Sequence, residues 1–255
     1  LDCLVPMCQG VFCMVEICSS KTHLDYHNEQ AVTRADEALR SRGMEPYSFH
    51  APFHEEIDIT SPDGQKRDHA LREVMAAAHA AVVLGARYFV FHPGPEKSFQ
   101  PPPEERIRRM HNAADVLSQV CQYCRQSGVG LVLENMLPHL LFGNMRDMLW
   151  VIGAIESPNV GTCLDTGHAF LSGDIYRVMY KLSGHLQCLH VNDNHGHSDD
   201  HFPPPHGSID WPTLLHKLNE VDFRGGLILE LAAQPDRPPE AVLADARQAR
   251  RYLDR

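Results

Sequence analysis

Seven short apolar runs recur along the chain, each stopping on a polar residue and each separated from the next by a longer amphipathic stretch. They are FCMVEICSS ending at Ser19, PYSFH at His50, RYFVFH at His92, VGLVLE at Glu134, NVGTCLD at Asp165, HLQCLH at His190 and GGLILE at Glu230. Runs that are apolar throughout, rather than alternating, are predicted to be parallel strands covered on both faces. The six intervals from Ser19 to Glu230 average about 35 residues, the length of one strand, a crossover helix and a return.

The stretches between the runs carry helical signals. Ile107, Met110, Ala114, Leu117, Cys121 and Cys124 recur at three- and four-residue steps, which predicts a helix over 103–127 closed by Gly128. Gly43, Gly85 and Gly184 end other helical stretches, and Asp210 ahead of Trp211 and Pro212 starts one. A βα array of this length is read as one domain, residues 1–255, with the (β/α)8 TIM barrel as its fold class. Seven strands are visible where the barrel has eight, and the chain begins at Leu1. The reading is therefore of a barrel lacking its first strand, with LDCLVPMCQG as the tail of a first helix and about 20 to 30 residues missing ahead of it. An open doubly wound sheet is disfavoured, because no G-x-G-x-x-G phosphate turn follows any run.

Composition narrows the function classes. A formal net charge of −10 argues against a nucleic-acid surface, and 43% hydrophobic residues suffice for a large core. No run approaches the roughly 18 apolar residues of a membrane span. The first twenty residues hold Asp2 and Glu16 without a basic start, so a cytoplasmic protein is expected. Eight cysteines are present, four of them at five-residue steps (Cys3, Cys8, Cys13, Cys18), a spacing that suits no metal motif; they are read as buried or free thiols. Histidine is over-represented at 17 residues, six of them between His185 and His206.

The chemistry is expected where the strands stop, because barrel active sites are assembled at the C-terminal ends of the strands. Six of the seven runs end on His, Glu or Asp: His50, His92, Glu134, Asp165, His190 and Glu230. Carboxylates and imidazoles converging on one axis need something positive between them, and a divalent cation meets that need. Oxygen and nitrogen donors without thiolate suit Mn²⁺, Mg²⁺, Co²⁺ or Zn²⁺. Cys163, two residues before Asp165, is expected to face the barrel interior one layer lower as packing.

Taken in order, FHAPF (49–53), FHPG (91–94), LEN (133–135), CLDTGHAF (163–170), HVND (190–193), Asp199-x-His201, GSIDW (207–211) and ILEL (228–231) resemble the xylose isomerase-like TIM barrel superfamily over nearly the whole chain. That superfamily includes sugar and sugar phosphate isomerases and epimerases, and endonuclease IV-type abasic-site nucleases. Similarity to the first branch implies one Mn²⁺-like ion held by Glu134, Asp165, His190 and Glu230. It also implies that Glu134 and Glu230 act as the paired bases of an enediolate route, with His168 on substrate oxygen. The implied partner is a small sugar or sugar phosphate, with no membrane, and a homo-oligomer is compatible. Similarity to the second branch implies three Zn²⁺ ions on His50, His92, Glu134, Asp165, His168, His190, Asp199, His201 and Glu230. Lyase or dehydratase chemistry uses the same scaffold.

Two departures bear on the branch. The epimerases carry an arginine shortly after the HVND-like strand, and none occurs here between Arg177 and Arg224. The nucleases place an arginine between the last Asp and His, where this chain has Asp200, and no basic run is present to track a DNA backbone. The isomerase or epimerase reading is preferred.

Around the ring, His54 is a lesser alternative to His50, and His195, His197 and His206 are read as solvated loop residues. Phe53 and Trp211 are candidates to stack on a sugar face. Arg106, Arg108 and Arg109, following Glu104 and Glu105, read as a solvated helix face.

Overall fold

A computed structural model describes residues 8–19, 23–98, 101–232 and 237–254. Seven strands form one parallel sheet in sequential order: β1 (Met14–Cys18), β2 (Glu45–His50), β3 (Tyr88–Phe91), β4 (Gly130–Glu134), β5 (Val160–Asp165), β6 (Leu186–Val191) and β7 (Gly226–Leu229). The helices between them are α1 (Glu29–Arg40), α2 (Gly64–Val83), α3 (Pro103–Gln126), α4 (Met145–Ile155), the pair α5 (Thr166–Leu171) and α6 (Ile175–Leu182), and α7 (Trp211–Glu220); α8 (Pro239–Leu253) follows β7. Together they make a nearly closed TIM barrel. β1 and β7 come close to each other but are not hydrogen-bonded, so a seam remains where the expected extra strand would lie. Of the predicted first-helix tail LDCLVPMCQG, the part LDCLVPM falls outside the described residues.

The sequence sets the element boundaries through local chemistry. Asn28, Asp63, Asn144, Asp174 and Asp210 each cap the helix that follows with a side-chain oxygen on a free backbone N–H, and α3 and α8 start with proline in the first turn. Gly128 takes a φ of +76° just past α3, a left-handed turn that glycine adopts without strain. The predicted apolar stripe of α3 is buried from Met110 onward, but Ile107 is 58% exposed, because the first turn of the helix extends beyond the core it packs on.

Two apolar layers result. A large one fills the space between sheet and helices, and a small one, formed by Tyr47, Val90, Val132, Cys163, Cys188 and Ile228, plugs the barrel lumen. Cys163 thus packs below Asp165, as its spacing predicted. Cys8, Cys13, Cys121, Cys124, Cys163 and Cys188 are free thiols. Among the described residues no helix is long and apolar enough to cross a membrane.

Two of the three arginines on α3, Arg106 and Arg109, depart from the solvated-face reading. Arg106 pairs with Asp147 on α4, while Arg109 pairs with Glu105 at 2.8 Å and with Asp58 at 3.0 Å. Asp147 and Asp58 lie on other segments, so Arg106 and Arg109 tie α3 sideways to the rest of the outer ring, while Glu105 is a partner one turn back on α3 itself and Arg108 stays exposed.

Candidate metal centre and catalytic site

All the ring residues arrive at one mouth of the barrel. His50, Glu134 and Asp165 are the last residues of β2, β4 and β5, and His190 is the penultimate residue of β6. His92 and Glu230 directly follow β3 and β7, His168 lies in α5, and Asp199 and His201 lie in the loop between β6 and α7. The registers set Asp165 opposite His190, while Glu134 and His50 lie opposite Cys163 and Val90, two residues before Asp165 and His92, the stagger expected of tilted barrel strands.

Three groupings bring one donor atom from each residue within 4.8 Å of the others: Glu134, Asp165, His190 and Glu230; His50, Glu134 and His190; and His168, Asp199 and His201. His92 joins through Nε2, 3.2 Å from Glu134 Oε2. Glu134 is the shared corner at 1% exposure, with His50 Nε2 at 3.3 Å and His190 Nδ1 at 3.0 Å.

The donor set fits a divalent cation on a specific observation. His190 Nδ1 lies 3.0 Å from Glu134 Oε2 and 3.2 Å from Glu230 Oε2, yet it is buried and makes no hydrogen bond. His92 Nε2 and Glu230 Oε2 are likewise buried without a hydrogen bond. Buried polar atoms that converge without bonding one another are costly unless a ligand sits among them. The other nitrogen of each ring is held: His50 Nδ1–H donates to the Ala51 carbonyl at 2.8 Å, His168 Nδ1–H to that of Asn135 at 2.9 Å and His201 Nδ1–H to that of Glu230 at 3.1 Å. His92 Nδ1 meets Glu96 at 2.5 Å, and His190 Nε2 meets Glu16 at 3.0 Å. Every imidazole is thus anchored on one side and offers its free nitrogen to the carboxylates, which is how metal-binding histidines are oriented.

Charge follows the same geometry. Burial pushes Glu134 up, but His190 and His92 outweigh it and hold the carboxyl well below the usual range. Glu230 is brought down to about 2, its burial overcome by His190. Asp165 goes the other way, to about 6, lifted by burial against the pull of His168. The imidazoles would be lowered by burial, yet Glu134 and Glu96 raise His92 to about 10, and Asp165 and Asp199 raise His168 well above its ordinary value.

A second set of side chains fixes the first, and reading strand ends alone overlooks it. Asn135 accepts the Asp165 N–H at 2.8 Å through Oδ1 and donates to the Asp165 carbonyl at 3.0 Å. Asn192 Nδ2–H donates to Asp165 Oδ2 at 2.5 Å, while Asp165 Oδ1 caps α5 on the His168 N–H at 2.6 Å. Gly167 lets α5 press against this lattice, since a Cβ there would overlap Asn192 Oδ1. His201 takes a φ of +48°, a strained value for a non-glycine residue and of the kind concentrated at functional sites. Glu16, inside β1, is the other omission; a lone carboxylate within MVEIC was the available signal.

The remaining candidates separate cleanly. Phe53 is 41% exposed, with its ring 5.2 Å from His50 and 5.7 Å from His92, so it borders the mouth. Trp211 does not: it is 1% exposed with its indole N–H given to Asp193 at 2.8 Å, and the expectation that it stacks on a sugar fails. His54, His195, His197 and His206 are exposed and belong to none of the three groupings.

A family model described as a xylose isomerase-like TIM barrel matches residues 12–253. Among curated relatives, a fructoselysine 3-epimerase of Escherichia coli O157:H7 is 25% identical over 143 residues, 55% of this chain and 52% of that one. A probable endonuclease 4 of Metamycoplasma arthritidis is 24% identical over 230 residues, 84% of this chain and 79% of that one. The chain spans no more than two thirds of the length of two of the curated relatives it matches, 66% of one and 52% of the other. Among solved structures, the IOLI protein with a bound zinc atom superposes with a TM-score of 0.83 at 18% identity, over 99% of this chain and 92% of that one, a likeness of fold.

Proposed function

The chain belongs to the xylose isomerase-like TIM barrel family, and on that premise we propose that it is a divalent-metal-dependent isomerase or epimerase of a sugar or sugar phosphate. The observation that carries this reading is the meeting of Glu134 and Glu230 on one imidazole, 3.0 and 3.2 Å from His190 Nδ1, with Asp165 in the same grouping. In this reading those four residues hold the cation, with Mn²⁺ foremost and Mg²⁺, Co²⁺ or Zn²⁺ as alternatives. Bound there, the cation supplies Lewis-acid polarisation of a carbonyl and its neighbouring hydroxyl.

The protein's own groups do the proton work. Glu134 comes from β4 and Glu230 from the end of β7, so the two carboxylates reach the centre from different strands. As carboxylates at one centre, each can accept a proton from the carbon beside a carbonyl. One removes that proton and the other returns one to the adjacent carbon or the opposite face, as an enediolate route requires. His168 contacts substrate oxygen, and Phe53 offers its exposed ring at the mouth. The fructoselysine 3-epimerase relative supports the substrate class. Six free thiols, Cys8, Cys13, Cys121, Cys124, Cys163 and Cys188, suit a reducing cytoplasm.

A second reading has its own observation. His168, Asp199 and His201 form a separate donor grouping, and His50 and His92 both face Glu134, which is more than one cation needs. That surplus, with the endonuclease 4 relative, suits a three-zinc phosphodiesterase. Metal analysis of the purified protein with a sugar panel in deuterated water decides between them. One ion per chain and deuterium entering a ketose beside its carbonyl is the expected result. Three zincs with cleavage of abasic-site DNA would overturn it.

A further inference from the structure

We propose that Glu16 is a positioning residue that fixes the His190 ring from inside the barrel, two strands away across the seam, so that Nδ1 is the nitrogen presented to the cation; this rests on the metal reading above. Glu16 is the middle residue of β1, and its Oε2 lies 3.0 Å from His190 Nε2. β1 and β6 are not neighbours in the sheet; β7 lies between them across the seam, so this hydrogen bond is made inside the barrel rather than along the sheet. Glu16 is itself held, because Ser48 Oγ–H donates to the same oxygen at 2.6 Å. The register between β1 and β2 shifts between Val15 and Glu16, which sets Glu16 opposite Ser48, and such an irregularity re-aims a side chain.

Three of the imidazoles at this mouth are anchored by backbone carbonyls, which the fold supplies whatever the side chains. His190 is fully buried and is instead anchored by a carboxylate carried on another strand, β1. With Nε2–H donated to Glu16, the neutral ring carries its lone pair on Nδ1, the atom that faces Glu134 and Glu230. A carboxylate also raises the basicity of the ring it anchors, and losing such a partner weakens metal binding about 10- to 100-fold.

The test is calorimetric titration of the metal-stripped full chain with Mn²⁺. Glu16→Ala is expected to weaken binding about 10- to 100-fold. Glu16→Gln, whose amide oxygen still accepts from Nε2–H, is expected to restore most of that loss, and Glu16→Ala in a His190→Ala background is expected to add nothing. Should Glu16→Ala fail to fold, Ser48→Ala, which releases the Glu16 carboxylate, is expected to weaken Mn²⁺ several-fold. Unchanged affinity in Glu16→Ala, or in Ser48→Ala where that variant stands in, overturns the proposal and leaves the metal reading intact. So does an effect of Glu16→Ala that persists without His190. A wild-type chain that binds no divalent cation overturns both.

Discussion

Asp193 accepts the indole N–H of Trp211 at 2.8 Å, and the same carboxylate takes the backbone N–H groups of Asn194 at 2.9 Å and Ile209 at 3.1 Å. It thereby closes the base of the loop that carries Asp199 and His201. Gly207 allows the approach, since a Cβ there would overlap Asp193 Oδ1. Trp211 begins α7, so one buried side chain couples that helix to the second donor grouping.

Replacing Asp193 by Ala strips three buried donors of their acceptor. Leaving buried donors unpaired and the loop untethered is expected to cost about 3 kcal/mol or more of stability. Urea denaturation measures the loss. The cation site of Glu134, Asp165, His190 and Glu230 lies outside the untethered loop, so metal analysis of the folded fraction is expected to show that ion still bound. Its loss along with the stability would mean that Asp193 merely holds the barrel together.

Glu134→Gln and Glu230→Gln remove one base each with little change of shape. Each is expected to slow deuterium exchange into a responsive ketose by about 10²- to 10⁴-fold, the scale of a positioned acid or base. The two should differ in how they alter Mn²⁺ affinity, because Glu134 lies within 3.7 Å of four imidazoles, His50, His92, His168 and His190, while Glu230 stands at the edge of the cluster. Retained exchange in both variants would dismiss the paired-base assignment.

Removal of metal bears on stability independently of substrate. A cation bound only by the folded chain at about 100 times its Kd adds about 2.7 kcal/mol. Treatment with a chelator is expected to lower the melting temperature, and Mn²⁺ to restore it. In Asp165→Asn the restoration should shrink. A melt that ignores both chelator and Mn²⁺ contradicts a metal held at the strand ends.

The strand ends were legible because a buried strand seldom stops on a charge, so six His, Glu and Asp residues at corresponding positions stood out against apolar runs. Glu16 was not legible by that rule. It lies inside its strand, and its partner His190 is 174 residues away, a pairing made by barrel closure. Trp211 was misread for a related reason: a sequence shows an aromatic beside a site, but only the fold shows that Asp193 turns its N–H inward. Arg109 looked like a solvated helix face because its Asp58 partner arrives from another segment.

The loop after β1 is tied to α2 by Glu73, which accepts Tyr26 Oη–H at 2.7 Å and meets His27 Nε2 at 3.0 Å. Burial pushes Glu73 up, but these hydrogen bonds outweigh it and hold its pKa below the ordinary value. A depressed folded pKa adds stability that is present above the unfolded pKa and lost as pH falls through the folded one. Glu73→Gln is therefore expected to be less stable than wild type at neutral pH, with the gap narrowing as pH drops below the usual carboxylate range. Urea midpoints of both proteins between pH 3 and 7 would measure it, and a gap constant with pH would show that the tie does not depend on charge.

The seam is pinned from inside at its lower end. Tyr47, on β2, accepts the backbone N–H of Gly226, on β7, at 2.8 Å, although those strands are not neighbours in the sheet. Gly226 has no room for a side chain, because a Cβ would stand 2.7 Å from the Tyr47 ring. Tyr47→Phe keeps the ring and removes only the acceptor, leaving the Gly226 N–H buried and unpaired at a cost of about 1–3 kcal/mol. Gly226→Ala keeps the hydroxyl and forces the ring away, so it is expected to cost at least as much. Because either change frees β7 first, hydrogen exchange should accelerate at Gly226 and its strand neighbours well before β4 and β5 respond. Uniform acceleration across all seven strands would mean that the barrel opens only as a whole and that Tyr47 does not guard the seam.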